Sequence, residues 1–315
     1  MLTVVTTASS LSDIANSEGR TDFDVHWRWA RAAPSPGVTA VLRVRNEAMN
    51  LPYVLPPMFQ AVRAVLVIDN GSTDGTADIA REVAAQAGAA DRLTVLDYPF
   101  AVSRCGPEHL ATSAESLHSL TYFYNWSFSH VATTYALKWD GDMVPTGRGV
   151  RAIRDLEWQL ESVDRIVHVR KRPLYVRDTS TAYVDTELLH PEPSGWRNGP
   201  GYRHAKAFEW EIPLWPRGTN PLLVADWSCL EIKRLDQEEF AHWSTDDFEH
   251  SKRTSRKRRE ISVFHALARD EDPPRGVVRI DAPAGVDVIE YARTTWLTAN
   301  RVELDRLAAE VSEAS

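Results

Sequence analysis

The sequence predicts an α/β protein with a mostly parallel sheet. Three observations carry that prediction. Apolar runs alternate with helical patterns through the first half, most of the runs end abruptly in acidic residues, and 315 residues suffice for a sizeable core. The runs are "VTAVLRVR" (38–45), "AVLVID" (64–69), "RLTVLDYP" (92–99) and "YALKWD" (135–140). Runs of this kind separated by helical patterns form βα units, whose crossovers make neighbouring strands parallel.

Each element follows from local chemistry. Pro and Gly in "APSPG" mark a boundary before the first strand. A helical pattern runs from about Glu47 to Val62, its first turns made irregular by Pro52, Pro56 and Pro57. After the second strand a helix spans about Thr76 to Ala87 and stops at Gly88. A further helix is expected over 113–132, before the fourth strand. The second half is less regular. Strands are expected near "RIVHVRKRPLYVR" (165–177) and "PLLVADWSCLEI" (221–232), with a long polar helix from about Thr245 to Leu267 and another closing the chain.

Composition narrows the function classes. Forty-four acidic against 36 basic residues give a net charge of −8, which argues against broad nucleic-acid binding. Cys105 and Cys229 form no CxxC pair, so neither a zinc ribbon nor a disulfide framework is indicated. No apolar run reaches the roughly 18 residues of a membrane span, and the first 20 residues lack the pattern of a signal peptide. The expectation is a cytoplasmic protein.

Every strand of a parallel sheet points the same way, so the C-terminal ends share one edge, where ligands bind. Arg45, Asn46 and Glu47 end the first strand, Asp69 and Asn70 the second, Asp97 the third, and Asp140 and Asp142 the fourth. Gathering carboxylates costs electrostatic energy unless a cation or ligand hydroxyls offset it. Each motif also has a plainer reading. "DNGSTDGT" suits a βα turn with Asp74 or Thr76 as a cap, "DGD" a hairpin turn, and "RNE" a helix start.

Taken together, "LRVRNEAMNLP…VLVIDNGSTDGTADIA…LKWDGDM" resembles the nucleotide-sugar half of GT-A-fold glycosyltransferases, especially the large inverting family 2, with some similarity to family 92. The resemblance covers roughly residues 38 to 150, and Asn70 stands where the family usually has a second Asp. It implies a GT-A fold and a nucleoside-diphosphate sugar as donor. It also implies a Mn²⁺ or Mg²⁺ ion on the DxD carboxylates, with Asp142 the leading ligand and Asp140 nearer the ribose and the metal. Arg45, Asn46, Glu47, Asp69 and Asn70 would line the nucleoside pocket, and Lys138 is a candidate phosphate contact. The implied division is an N-terminal extension (1–37), a donor half (38–150) and an acceptor half with C-terminal helices (151–315). The acceptor would be a small molecule, glycan or lipid-linked hydroxyl, with peripheral membrane contact open.

Inverting transfer needs a carboxylate to take the acceptor's proton. Family position favours Asp247 in "HWSTDDFEHSKR", with Asp246 its companion and Arg253 the following cation; the same acids also suit a capped helix start. Asp226 in "VADWS" is the runner-up, then Glu209 or Glu211. His242, or His265, is the candidate histidine for the metal shell. Five tryptophans (Trp196, Trp210, Trp215, Trp227, Trp243) fall between 196 and 243, and Trp210, Trp215 and Trp243 are the candidate acceptor wall, against ordinary core packing. The basic run "SKRTSRKRRE" reads by default as a solvated helix face. Two rivals remain. A haloacid-dehalogenase-type phosphatase also has DxD after an apolar strand, but on the first strand of its core. A non-catalytic sugar-nucleotide-binding protein would keep the donor motifs and lack a base.

Overall fold

The computed structural model describes residues 13–161, 164–237, 240 and 252–313, the side chains of 252–254 and 308–313 excepted. Thirteen strands occur among the described residues: β1 (Ser35–Val44), β2 (Ala64–Asp69), β3 (Leu93–Asp97), β4 (Thr133–Asp140), β5 (Met143–Pro145), β6 (Arg165–Val176), β7 (Thr181–Asp185), β8 (His190–Arg197), β9 (Arg203–Lys206), β10 (Glu211–Leu214), β11 (Asn220–Leu223), β12 (Cys229–Arg234) and β13 (Val277–Asp281). Eleven of them form one sheet, ordered β13-β7-β6-β8-β4-β1-β2-β3, with β11 and β12 beside β6 and β5 beside β12.

The first half is the parallel sheet that the sequence predicts. β2 and β4 flank β1, and β3 lies outside β2, all parallel. The second half joins the same sheet through β8, which runs antiparallel to both β4 and β6, while β12 runs parallel to β6. β1 shows why the sheet is covered on both faces. Ala40, Leu42 and Val44 pack with the helix Leu51–Ala61 on one side, whereas Val41 packs with Tyr98, Tyr122 and Trp126 on the other. Burying both faces suits strands that are apolar at nearly every position.

Several boundaries differ from expectation. The helix expected from Glu47 begins at Leu51, where Pro52 is tolerated in the opening turn. The expected 113–132 helix is shorter, Leu120–Ser129, capped by Ser119, and a separate short helix, Pro107–Ala111, precedes it. The expected strand at 221–232 breaks into β11 and β12, because the turn between them holds Trp227 at φ +62. The long polar helix covers Lys252–Ala268, and its predicted start at 245 lies outside the described residues. Its basic run is not a solvated face throughout: Arg259 bonds to buried Asp185 at 2.8 and 2.9 Å, and Lys257 lies 2.8 Å from buried Glu260. No described helix is long and apolar enough to cross a membrane.

Candidate active site

Strand register brings the acidic strand ends into line. Asp69 pairs with Val44 of β1 and with Asp97 of β3, and Asp140 pairs with Arg43. Arg45, one residue past β1, is exposed. Asp69 Oδ1 accepts the Ser72 amide at 3.0 Å.

The "DNGSTDGT" loop is held to the "RNE" loop by mutual hydrogen bonds. Asn46, at φ +58, donates its amide to Ser72 Oγ at 2.9 Å and accepts the Thr73 amide on Oδ1 at 2.8 Å. Asp74 Oδ2 accepts the Ala48 amide at 3.0 Å, and Oδ1 accepts the Thr76 amide at 3.0 Å. Burial opposes the charge on Asp74, but these donors hold its carboxyl below the ordinary range. Gly75 at φ +85 starts the next helix, a conformation that favours glycine. Asn46 and Asp74 therefore set the loop's shape. Asn70 does likewise: its amide nitrogen donates to the carbonyls of Tyr98 and Phe100 at 2.8 and 2.7 Å, so it braces the loop after β3.

The DGD turn is shaped by Glu47. A Cβ on Gly141 would lie 2.6 Å from Glu47 Cγ, so the middle position has room only for glycine. Glu47 in turn accepts from Asn50 Nδ2 at 2.8 Å. Around the two aspartates lies a network of buried charge that sequence reasoning did not foresee. Asp140 meets Arg43 at 3.2 Å and Lys171 at 3.9 Å, and Asp142 meets Lys233 at 2.9 Å. Lys171 also reaches Glu231 at 3.0 Å and Glu192 at 3.4 Å, and Lys233 lies 3.3 Å from Glu231. Arg43 stacks over the Tyr124 ring, 3.5 Å from its centroid.

The electrostatics follow from burial and pairing. Burial raises the Asp142 carboxyl, against the pull of Lys233. Partial burial opposes the charge on Glu231 and Glu192 too, yet the lysines hold both well below the ordinary carboxylate range. Burial opposes the charge on Lys171, but its carboxylate partners raise it well above the usual value. Removing one partner of such a network leaves an uncompensated charge, which typically costs about 3–5 kcal/mol.

Several candidates need correction. Lys138 is buried and its ammonium is already taken by Glu192. Asp226 is a buried partner of Arg172, taking Nε at 3.2 Å and Nη2 at 2.6 Å while Oδ1 accepts the Trp227 amide at 2.7 Å. Both oxygens are engaged, which assigns it to fixing this turn and removes it as a base. Trp196 and Trp227 are core residues in different clusters. Trp210 is half-buried and Trp215 is 39% exposed, at either end of β10 in the β9–β10 hairpin. His265 is exposed on its helix. Asp246, Asp247, His242 and Trp243 lie outside the described residues, as does the side chain of Arg253. Glu211 is more interesting than its rank suggested. Its Oε2 is buried with no hydrogen-bond partner among the described residues, and its charge acts on Arg43 and Tyr124.

The divalent cation that the DxD motif implies can be tested against the donor set. Among the described residues no three His, Cys, Asp or Glu side chains are grouped to hold a metal. Asp140 and Asp142 supply hard carboxylate oxygens, and such ions are commonly held by one or two carboxylates plus phosphate oxygens of the ligand. The two aspartates fit that mode, provided Lys233 gives up Asp142. Arg43, Lys171, Glu192, Glu231 and Lys233 were legible only as charges inside otherwise apolar strands, such as the period-2 pair Glu231 and Lys233 in "CLEIKR".

Four parallel strands ordered 3-2-1-4, with DGD at the end of the fourth and a mixed second half in the same sheet, make an α/β fold built on a mostly parallel sheet. No family model matches the chain, and no curated protein matches it. Among solved structures, Staphylococcus aureus TarS 1–349 in complex with UDP-GlcNAc is 11% identical, with 73% of this chain and 72% of that chain covered and a TM-score of 0.42. Mannosyltransferase PcManGT from Pyrobaculum calidifontis, in complex with GDP-Man and Mn²⁺, is 14% identical over 91% and 79% of the two chains, also at 0.42. Glucosyl-3-phosphoglycerate synthase from Mycobacterium tuberculosis, with Mn²⁺, UDP-glucose and phosphoglyceric acid, is 19% identical over 46% and 45%, at 0.27. Against another TarS 1–349 structure the chain spans 47% of that protein's length. The overlap is partial at such scores, and no activity is transferred from it.

Proposed function

We propose that the protein is a glycosyltransferase that moves a sugar from a nucleoside-diphosphate donor to an acceptor hydroxyl, with inversion. The observation that supports this most is the register of Asp69, Asp97 and Asp140 along one sheet edge, beside the exposed Arg45. Residues 38–150 form the donor half in this reading and 151–315 the acceptor half. Asp69 binds the nucleoside, and Arg45 lies near enough in sequence to meet the donor's charge. Asp140 and Asp142 hold a Mn²⁺ or Mg²⁺ ion, which when bound neutralises the departing diphosphate. Asp247 takes the acceptor's proton. Trp210 and Trp215 offer indole faces to the acceptor's C–H faces.

The phosphatase alternative is disfavoured because DGD follows the fourth strand, between β1 and β8, and not the first strand of the core. A thermal-shift screen of UDP, GDP and other nucleoside diphosphates, with and without Mn²⁺, tests the donor reading. One nucleotide should raise the melting temperature, more so with Mn²⁺, and the matching sugar donor should be consumed in an acceptor-dependent way. A protein that no nucleoside diphosphate stabilises would refute it.

A further inference from the structure

A polar cavity of about 430 Å³ lies where the helix Gly147–Arg154 meets the C-terminal helices. That size suits a small-molecule site. Arg148 and Arg151 line it from one side, Arg293 and Arg301 from the other, and Asp305 is its one acidic lining residue. Such a gathering of guanidinium groups runs against the chain's net charge of −8.

The local pairing leaves positive charge over. Asp305 is shared between Arg148 at 3.0 Å and Arg301 at 3.5 Å, and Arg293 takes Glu290 at 2.6 Å. The Arg151 guanidinium has no ion-pair or hydrogen-bond partner among the described residues. The cavity is also bounded by Thr146 and Gly147, which open an eight-residue helix whose first amides favour an anion.

Trp227 supplies an independent observation. It lines the cavity at 4% exposure, and its indole N–H is buried with no hydrogen-bond partner among the described residues. Its backbone is held at φ +62, where non-glycine residues are uncommon. Three contacts fix it there: its amide donates to Asp226 at 2.7 Å, its carbonyl accepts from Thr146 Oγ1 at 2.7 Å, and Arg172 stacks on its ring at 4.6 Å. Gly149 packs so close to this turn that a Cβ would meet the Ser228 carbonyl oxygen at 1.9 Å. The wall is rigid, as a preorganised site requires.

We propose that this cavity binds a phosphate group, with Arg151 and Arg301 as its principal charge partners. Guanidinium forks from facing elements match the oxygens of a phosphate. The inference stands apart from the donor edge and does not depend on the sugar-transfer reading.

Isothermal titration of the intact protein with inorganic phosphate, at ionic strength matched with chloride, tests it. Vesicles of phosphatidylcholine with and without phosphatidic acid form a second arm. Saturable phosphate binding that Arg151→Ala and Arg301→Ala each weaken at least about tenfold is expected, as loss of a charge-assisted bond is worth that much. Arg217→Ala, an exposed arginine elsewhere, should change nothing. Both site arginines are exposed enough for the variants to fold, and unchanged melting temperatures will check that. Vesicle binding that needs phosphatidic acid and Arg151, with little gain from free phosphate, would assign the phosphate to a lipid headgroup. The proposal is overturned if neither probe binds, or if Arg151→Ala and Arg301→Ala bind as wild type does.

Discussion

Lys233 Nζ lies 2.9 Å from Asp142 Oδ2, so an ammonium group occupies the carboxylate oxygen that the DxD motif would offer to a metal. Lys233 also faces Glu231 at 3.3 Å and Glu260 at 4.0 Å, and can give up Asp142 without losing all its partners. The ammonium thus compensates the charge of a half-buried acid.

Two variants should therefore act in opposite directions. Lys233→Met leaves Asp142 uncompensated, so it should destabilise the metal-free protein by about 3–5 kcal/mol and bind Mn²⁺ more tightly than wild type. Asp142→Asn should stay folded, lose the Mn²⁺ dependence of nucleotide binding and nearly abolish transfer. Calorimetry with MnCl₂, alone and with the nucleoside diphosphate, reads both. Unaltered Mn²⁺ affinity in Lys233→Met would show that the lysine and the metal do not compete.

The second prediction separates Asp69 from its neighbour. Asn70 satisfies two backbone carbonyls with its amide nitrogen, which an aspartate cannot do. That requirement gives Asn70 a structural role of its own in this turn. Asn70→Asp should cost about 2–4 kcal/mol in chemical denaturation, as two acceptors lose their donors. Asp69→Ala should leave stability nearly unchanged and raise the donor's KM. If the two variants behave alike, the loop acts only as a turn.

Much of this was legible in the sequence, for reasons that are local. The parallel core came from apolar runs whose ends are marked by Asp69, Asp97 and Asp140, because strand polarity alone brings those ends together. The charge network was not legible, because it depends on non-local pairing. Lys171 of β6, Glu192 of β8 and Glu231 of β12 meet only once β8 joins β4 to β6. Asp226 misled for a related reason: a strand-end aspartate reads as a site residue until Arg172, 54 positions earlier, is seen to hold both its oxygens.

The third prediction concerns acid stability. Burial, with help from the charges of Arg28 and His26, lowers His130 to about 4 from the ordinary 6.5. The fold therefore holds the neutral ring, while the unfolded chain binds a proton below pH 6.5. The contribution to stability is complete above pH 6.5 and declines as pH falls toward 4. Its size is on the order of 2 kcal/mol. His130→Gln should remove that part of the slope in denaturation curves recorded between pH 7 and 4. A slope identical to wild type would mean that the ring is already protonated in the fold.

The catalytic base calls for the sharpest test, because two carboxylates compete for the role. Asp247 carries the position expected from family resemblance. Glu211 carries a buried oxygen with no hydrogen-bond partner among the described residues, close enough to the donor edge for its charge to act on Arg43. A base acts only as the new bond forms, so its loss should lower kcat and spare donor binding. General-base loss typically costs about a hundred- to ten-thousand-fold in rate, whereas a first-turn helix carboxylate is worth only about 0.3–1 kcal/mol of stability. Asp247→Asn should therefore bind nucleotide normally, melt within a few degrees of wild type, and transfer sugar at least about a hundredfold more slowly. Glu211→Gln should keep most of its turnover, with any change appearing in KM as the field on Arg43 shifts. Measuring kcat and nucleotide affinity for both variants decides between them. A Glu211→Gln protein that binds donor normally but no longer turns over, beside an active Asp247→Asn, would move the base to β10 and take the proton-accepting role from Asp247.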